Sequence, residues 1–281
     1  MPTARSEMPA VAIDGVIYVP GGFGGLSRLE AYDVEGDVWT RLADMPQGRH
    51  HLMAAAHEGR LYVFGGASSL ISWAPTDTVW VYDPDRDDWQ MLSPLPEARH
   101  SGAAISLGGY IYIVGGVGES GSLLRYDPDA DLWSRLATLE QRREHIAVGV
   151  LDGEIYAIGG RWEGSGELRA VEIFDPASDQ WRQGPELTTS RAGFGATSVG
   201  DLIVVAGGEV IFTGDEALQS VEILSSDASA WVLGPPLPVA LHGVPMAADD
   251  GRVYLLGGSD RPGGIDNQGR VLSTHIADLG G

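Results

Sequence analysis

The sequence predicts an all-β fold, a six-bladed propeller, and three observations carry that prediction. Six Gly-Gly pairs begin at Gly21, Gly65, Gly115, Gly159, Gly207 and Gly257, at intervals of 44, 50, 44, 48 and 50 residues. A tryptophan stands 26 residues before each of the last five pairs, at Trp39, Trp89, Trp133, Trp181 and Trp231. No stretch of useful length carries the apolar period of an amphipathic helix. Recurrence of this kind marks a repeat architecture, in which each unit buries its apolar surface against its neighbours. All-β folds of this length are commonly undivided, so a single domain over residues 1–281 is expected.

Each unit reads as four strands, A to D. Strand A follows an arginine placed sixteen residues before Gly-Gly: Arg5, Arg49, Arg99, Arg143 and Arg191, with Leu241 in the sixth unit. Strand B ends at Gly-Gly and carries Tyr18, Tyr62, Tyr112, Tyr156 or Tyr254 three residues before it, with Val204 as the departure. Runs such as Leu61-Tyr62-Val63-Phe64 are β-branched and aromatic, as strands require. Asp14-Gly15, Glu58-Gly59, Asp152-Gly153 and Asp250-Gly251 suit tight A–B hairpins, where glycine supplies positive φ. Strand C ends at Tyr32, Tyr82, Tyr126, Phe174 or Leu224, followed by Asp in the first four. Strand D carries the tryptophan seven residues later.

The order Arg, apolar strand, Tyr-bearing strand with Gly-Gly, Tyr-Asp and Trp resembles the kelch repeat, and it recurs over nearly the whole chain. The resemblance implies a β-propeller with one four-stranded blade per repeat. It implies much less about function, because that scaffold serves both enzymes and binding modules.

From Gly-Gly to the end of strand C the distances are 11, 17, 11, 15 and 17 residues, so the length variation lies in the B–C loops. Alternation places those loops and the D–A connections on one face, and the A–B and C–D turns on the other. Variable loops on a rigid scaffold are the expected binding face. Counted from Ala277 as the end of the sixth strand C, the sixth strand D falls outside the sequence at both ends. The last blade is therefore expected with three strands and an exposed edge, unless the recorded start lies too late in the chain.

Seven histidines and no cysteine leave no disulfide, zinc thiolate or thiol nucleophile. The copper oxidases that share kelch-like blades need a Cys–Tyr crosslink and are excluded. Lysine is also missing, which removes Schiff-base chemistry; all 18 basic side chains are arginine. No apolar signal or membrane-spanning run precedes the first repeat, so a cytoplasmic monomer is expected. The net charge of −21 argues against nucleic acid and anionic membrane as partners. Acidic residues crowd the C–D turns, as in Asp83, Asp85, Asp87 and Asp88, where the simplest reading is solvated turn formation.

Five arginines at equivalent points of a ring have two readings. They are a cationic collar for a carboxylate, sulfate or phosphate, or they pair with the protein itself as part of the repeat. The following residue obeys no repeat rule: Ser6, His50, His100, Glu144, Ala192 and His242, with His51 and His145 next in two units. These are read as polar lining of a binding mouth or as an acid–base set. No metal site and no cofactor are expected, since equivalent points of a wide ring do not converge within about 2.0–2.2 Å of one ion. Trp73, Trp162 and Phe23 lie in B–C loops, with Phe212 similarly placed, and suit a sugar face or a protein hot spot. Acidic Glu119, Glu163, Glu209, Asp215 and Asp260 share these loops.

Two functions stand. The first is a binding module holding a protein, a peptide or a carbohydrate at the mouth formed by the B–C loops and D–A connections. The second is a small enzyme acting on an anionic molecule or sugar, resembling the kelch-type sialic acid mutarotases. There, Arg49, Arg99 and Arg143 would hold the anion, and protons would move through Glu144 and His100, with His50 and His242 beside them.

Overall fold

The computed structural model describes residues 1–68, 73–118, 121–212, 214–263 and 271–275. Tight turns join A to B and C to D, longer loops join B to C, and antiparallel pairing in sequence order builds six sheets around a central channel. The first blade has strands Val11–Ile13, Val16–Pro20, Leu29–Asp33 and Val38–Arg41. The second has Met53–His57, Arg60–Phe64, Val79–Asp83 and Asp88–Met91, and the next three repeat that order. Two loops add short ribbons: Arg161–Trp162 with Gly166–Glu167, and Glu209–Val210 with Glu216–Ala217. No helix occurs among the described residues, and none is long and apolar enough to cross a membrane.

Strands B and C are apolar on both faces because each sheet is covered by a neighbour on both sides. Leu61, Tyr62, Val63 and Phe64 are all buried, whereas the outermost Val38–Arg41 is mostly exposed. The core is six wedges, one between each pair of adjacent blades. Leu29 and Tyr18 pack with Leu61 and Val63 between the first two blades; Ile17 and Val19 pack with Tyr254 and Leu256 between the first and the last. Each fully buried side chain of this size contributes about 1.5–3 kcal/mol relative to exposure.

The Gly-Gly pairs join these wedges. The second glycine of each unit donates its amide to the carbonyl of the next unit's arginine position, as in Gly22 to Arg49 at 2.9 Å and Gly208 to Leu241 at 2.8 Å. Gly258 donates to Arg5 at 2.9 Å, which closes the circle between the last unit and the first. A Cβ on Gly65 would lie 2.2 Å from the Arg99 carbonyl, and both glycines have positive φ, so only glycine allows this approach.

The tryptophans and turn aspartates hold blade to blade from outside. Trp89, Trp133 and Trp181 stack beside Tyr82, Tyr126 and Phe174, and donate their indole N–H to Ala43, Ser93 and Ala137 carbonyls of the preceding blade. Asp87, Asp131 and Asp179 accept the amides of Ala43, Ser93 and Ala137. Asp87 and Asp131 also accept a hydrogen bond from the hydroxyl of Tyr82 and Tyr126. These acids therefore latch adjacent blades. Asp83, Asp127 and Asp175 behave as turn formers, accepting amides within their own turns.

The sixth sheet has three strands among the described residues: Met246–Asp249, Arg252–Leu256 and Val271–His275. Thr274 faces Val253 in the register where Tyr82 faces Leu61, so Thr274 takes the tyrosine position. Ala277, expected there, lies outside the described residues.

Candidate functional site

Three consecutive residues of each D–A connection point in three directions, and this sorting builds the site. The first is the repeat arginine, and it turns into the blade. Arg5, Arg99, Arg143 and Arg191 are at most 1 % exposed. Arg191 donates to the Gly207 and Ser220 carbonyls at 2.7 and 3.1 Å and pairs with Glu222 at 2.6 Å. Arg5 pairs with Glu30 at 2.9 Å, Arg99 with Glu97, and Arg143 with Glu172. Among the described residues, Arg49 meets no carboxylate, and its hydrogen-bond partners there are Thr76, the Gly48 carbonyl and Gln47. The guanidinium groups are thus spent within the protein, and Leu241 fills the sixth place as part of an apolar wedge.

The second residue faces the B–C loop. Ser6, His50, His100, Glu144, Ala192 and His242 bridge to Phe23, Ala67, Val117, Arg161, Glu209 and Ser259. The third residue reaches the channel axis: Glu7, His51, Ser101, His145, Gly193 and Gly243. All six have φ between 50° and 60°, a left-handed conformation that costs non-glycine residues on the order of 1–3 kcal/mol. A closed circle of backbone hydrogen bonds holds them there. His51 donates to Glu7, Ser101 to His51, His145 to Ser101, Gly193 to His145, Gly243 to Gly193 and Glu7 to Gly243, at 2.7–3.0 Å. Below this circle the A strands enclose a channel of about 470 Å³ lined by small side chains such as Ala54, Ala104 and Ala247.

The second and third residues form one polar network. His51 Nε2 is 3.2 Å from Glu7 Oε2 and 3.0 Å from His145 Nε2, while the Nδ1 atoms of His50 and His51 are 2.6 Å apart. His145 Nδ1 meets Glu144, and Arg161 Nε donates to Glu144 at 2.7 Å. Arg161 Nη1 donates to Glu209 at 2.6 Å, and Glu209 Oε2 lies 3.5 Å from His242 and accepts the Gly263 amide at 2.7 Å.

Burial pushes the Glu144 carboxyl upward, but His145 and Arg161 outweigh it and bring it down to about 2. Glu209 is also lowered, because His242, the Gly263 amide and Arg161 overcome its burial. Arg161 is raised, since two carboxylates override its own desolvation. Burial raises Glu7, with His145 and His242 pulling partly back. His51 is held well below the usual imidazole range by burial and then by His145, and His100 is lowered chiefly by burial. Glu144, Glu209 and Arg161 are therefore ionised at neutral pH.

Aromatic rings close over this floor. Trp73, 42 % exposed, stands 4.5 Å from His51, 5.1 Å from His50 and 6.0 Å from His100 between ring centres. Phe23 stacks on His50 at 4.3 Å. Trp162 lies apart, under the Arg142 guanidinium at 4.7 Å, and Phe212 is exposed on the rim. Glu167 accepts the Ile211 and Phe212 amides and joins these two loops. Glu119 lies outside the described residues.

The structure thus brings His50, His100, Glu144, His242, Phe23 and Trp73 together and sends the arginines elsewhere. Sequence reasoning missed Glu7 and Arg161. Both stand in columns that break the repeat: Glu7 aligns with His51, Ser101 and His145, and Arg161 aligns with Phe23, Ala67 and Glu209. That irregularity was the available signal.

Residues 1–160 match the profile of the KLHDC2/KLHL20/DRC7 Kelch-repeats domain, and residues 142–188 match the Kelch motif. Kelch-like protein 40a of Danio rerio is 36% identical over 85 residues, covering 30% of this chain and 14% of that protein. Kelch-like protein 35 of Mus musculus is 37% identical over 70 residues, covering 24% and 12%. The chain spans less than a fifth of the length of the first curated relatives it matches. Over the whole fold, the solved structure of YjhT superposes with a TM-score of 0.85 at 18% identity, covering 98% of this chain and 99% of that one. With more than half of its length matched by a kelch-repeat domain, Gly-Gly in all six units and the Arg, Tyr and Trp registers each kept in five, the chain belongs to the kelch-repeat family.

Proposed function

We propose that this propeller is a protein-binding module whose mouth, on the face of the B–C loops and D–A connections, holds a segment of its partner. Kelch propellers commonly bind proteins. The observation that carries the reading is the distribution of charge. The repeat arginines are turned into the blades, so the mouth presents the exposed face of Trp73 against His50, His51 and His100, with the partly exposed Glu144 carboxylate on the neighbouring His145. Arg161, the cation among them, is already held by Glu144 and Glu209. Such a mouth favours a segment with an apolar or aromatic side chain for Trp73 and an arginine or lysine for the acidic floor.

The test is selection from a displayed peptide library on the wild-type protein and on Trp73→Ala. Wild type should enrich peptides pairing a basic with an aromatic residue, and their affinity should fall at least tenfold in Trp73→Ala while its melting temperature hardly changes. Peptides that bind both proteins equally would sink the proposal.

A second reading, a site for an anionic small molecule handled by acid–base groups, is favoured by Arg161 standing against Glu144 and His145. It moves the anion-binding role from the repeat arginines to Arg161. A dose-dependent thermal shift with acidic sugars that disappears in Arg161→Ala would select it, and a turnover assay would follow.

A further inference from the structure

Three side chains of the axial circle bring one ligating atom each to a common point. The sides of the triangle they make are 3.0 Å from His51 Nε2 to His145 Nε2, 3.2 Å from His51 Nε2 to Glu7 Oε2, and 4.0 Å from His145 Nε2 to Glu7 Oε2. The point equidistant from all three atoms lies about 2.0 Å from each, the distance at which Zn²⁺ takes imidazole nitrogen and carboxylate oxygen. We propose that Glu7, His51 and His145 form a binding site for one divalent transition-metal ion of the zinc type.

The backbone explains why residues from three blades converge. Left-handed φ values of 55°, 54° and 50° turn their side chains onto the axis, and the closed circle of amide hydrogen bonds sets their spacing. Room for the ion comes from the two glycines of the circle. A Cβ on Gly243 would lie 2.5 Å from Glu7 Oε1, so a side chain there would expel the carboxylate. Support also comes from behind the ligands. The Glu144 carboxylate engages His145 Nδ1, which leaves Nε2 to face the axis and makes it a stronger ligand. The Nδ1 of His51 is likewise engaged, by His50.

The donor set selects the ion. Two imidazoles and one carboxylate suit Zn²⁺, Co²⁺ or Ni²⁺, whereas Mg²⁺ and Ca²⁺ require oxygen ligands throughout. Arg161 Nη2, 3.1 Å from His145 Nε2, adds an unfavourable positive charge, but Glu144 and Glu209 both pair with that guanidinium and offset it. Three protein ligands leave a fourth position for water or an incoming oxygen or nitrogen group.

Calorimetric titration of the metal-stripped full chain with Zn²⁺ tests the site, with Co²⁺ as a spectroscopic probe. Neither measurement involves a binding partner, so the outcome is separate from that of the proposed protein-binding role. Wild type should take up one ion with a dissociation constant in the micromolar range or below, and show the visible Co²⁺ absorption of a low-coordinate nitrogen–oxygen site. Affinity should fall at least tenfold in His51→Ala, His145→Ala and Glu7→Gln. It should be unchanged in His57→Ala, which removes the histidine of an outlying cluster with Glu58 and Asp129. The proposal is overturned if wild type binds no ion at 100 µM or if the three ring variants bind as wild type does. Should those variants fail to fold, Zn X-ray absorption fine structure of the wild type decides: two imidazoles in the ligand shell support the site, and any other number overturns it.

Discussion

Arg143 and His145 are two residues apart in one connection, yet they belong to different parts of the molecule. The arginine register repeats in five units, and Arg143 turns into its blade, where it is saturated by Glu172 and three carbonyls. His145 has glycine, serine, glutamate or histidine at its equivalents, turns onto the axis and joins a network spanning several blades. Regularity marks the scaffold because each blade must solve the same packing problem. Irregularity marks the site because one centre receives a single contribution from each blade.

The largest effects are expected at the arginines. Arg191→Ala would leave the Glu222 charge buried with only the Thr188 and Thr189 amides and no cation, and we expect a loss of about 3–5 kcal/mol in urea unfolding. Arg49→Ala, which strands no carboxylate, should cost only about 1–2 kcal/mol. Equal losses would mean that the buried glutamates add nothing to the arginine ring.

Next comes the axial circle. Gly243→Ala places a methyl against Glu7 at a φ of 56° and should cost about 1–3 kcal/mol. A neutral result in thermal unfolding would show that the Glu7 carboxylate moves freely and that the circle does not position it.

The latches are weaker still. Asp131→Asn keeps the left-handed backbone but loses the charge facing Ser93 and Tyr126, for an expected cost of about 1 kcal/mol at neutral pH. Burial raises the Asp131 carboxyl, but the hydrogen bonds from Tyr126 and Ser93 outweigh it and leave the folded-state pKa lowered. Its contribution is therefore present above the unfolded pKa of about 3.9 and disappears as pH falls through the lower folded value. The gap between wild type and Asp131→Asn should shrink below about pH 4, and a gap that widens there would contradict the latch. At the bottom of the scale, Glu186→Ala removes an exposed pair with Arg169 and should change stability by less than about 0.5 kcal/mol.

Much of the fold is legible in the sequence alone. The Gly-Gly register corresponds to one backbone contact made in all six units, and the Trp register to the indole bond that Trp89, Trp133, Trp181 and Trp231 make to the preceding blade. The sixth tyrosine position was misplaced at Ala277 instead of Thr274, because a small polar residue carries no signature there and only register identifies it. In the mouth, His50, His100, Glu144, His242 and Trp73 were legible as departures from the repeat. Glu7 carried the same kind of signal, in a column with His51, Ser101 and His145, but its meeting with them on the axis shows only in the closed ring.

By itself, the sequence determined the number of blades, the strands within them, the loops free to vary and the face those loops share. These follow from local spacing and from contacts that every unit repeats. Only the tertiary structure decided which polar residues meet. The arginines turn inward because each blade offers carbonyls, and in four units a glutamate, at separations that differ from unit to unit. Glu7, His51 and His145 lie 44 and 94 residues apart along the chain and become neighbours only when Gly258 and Gly243 close the ring against Arg5 and Glu7. Their proximity is a property of closure, and closure is a long-range event that no local pattern encodes.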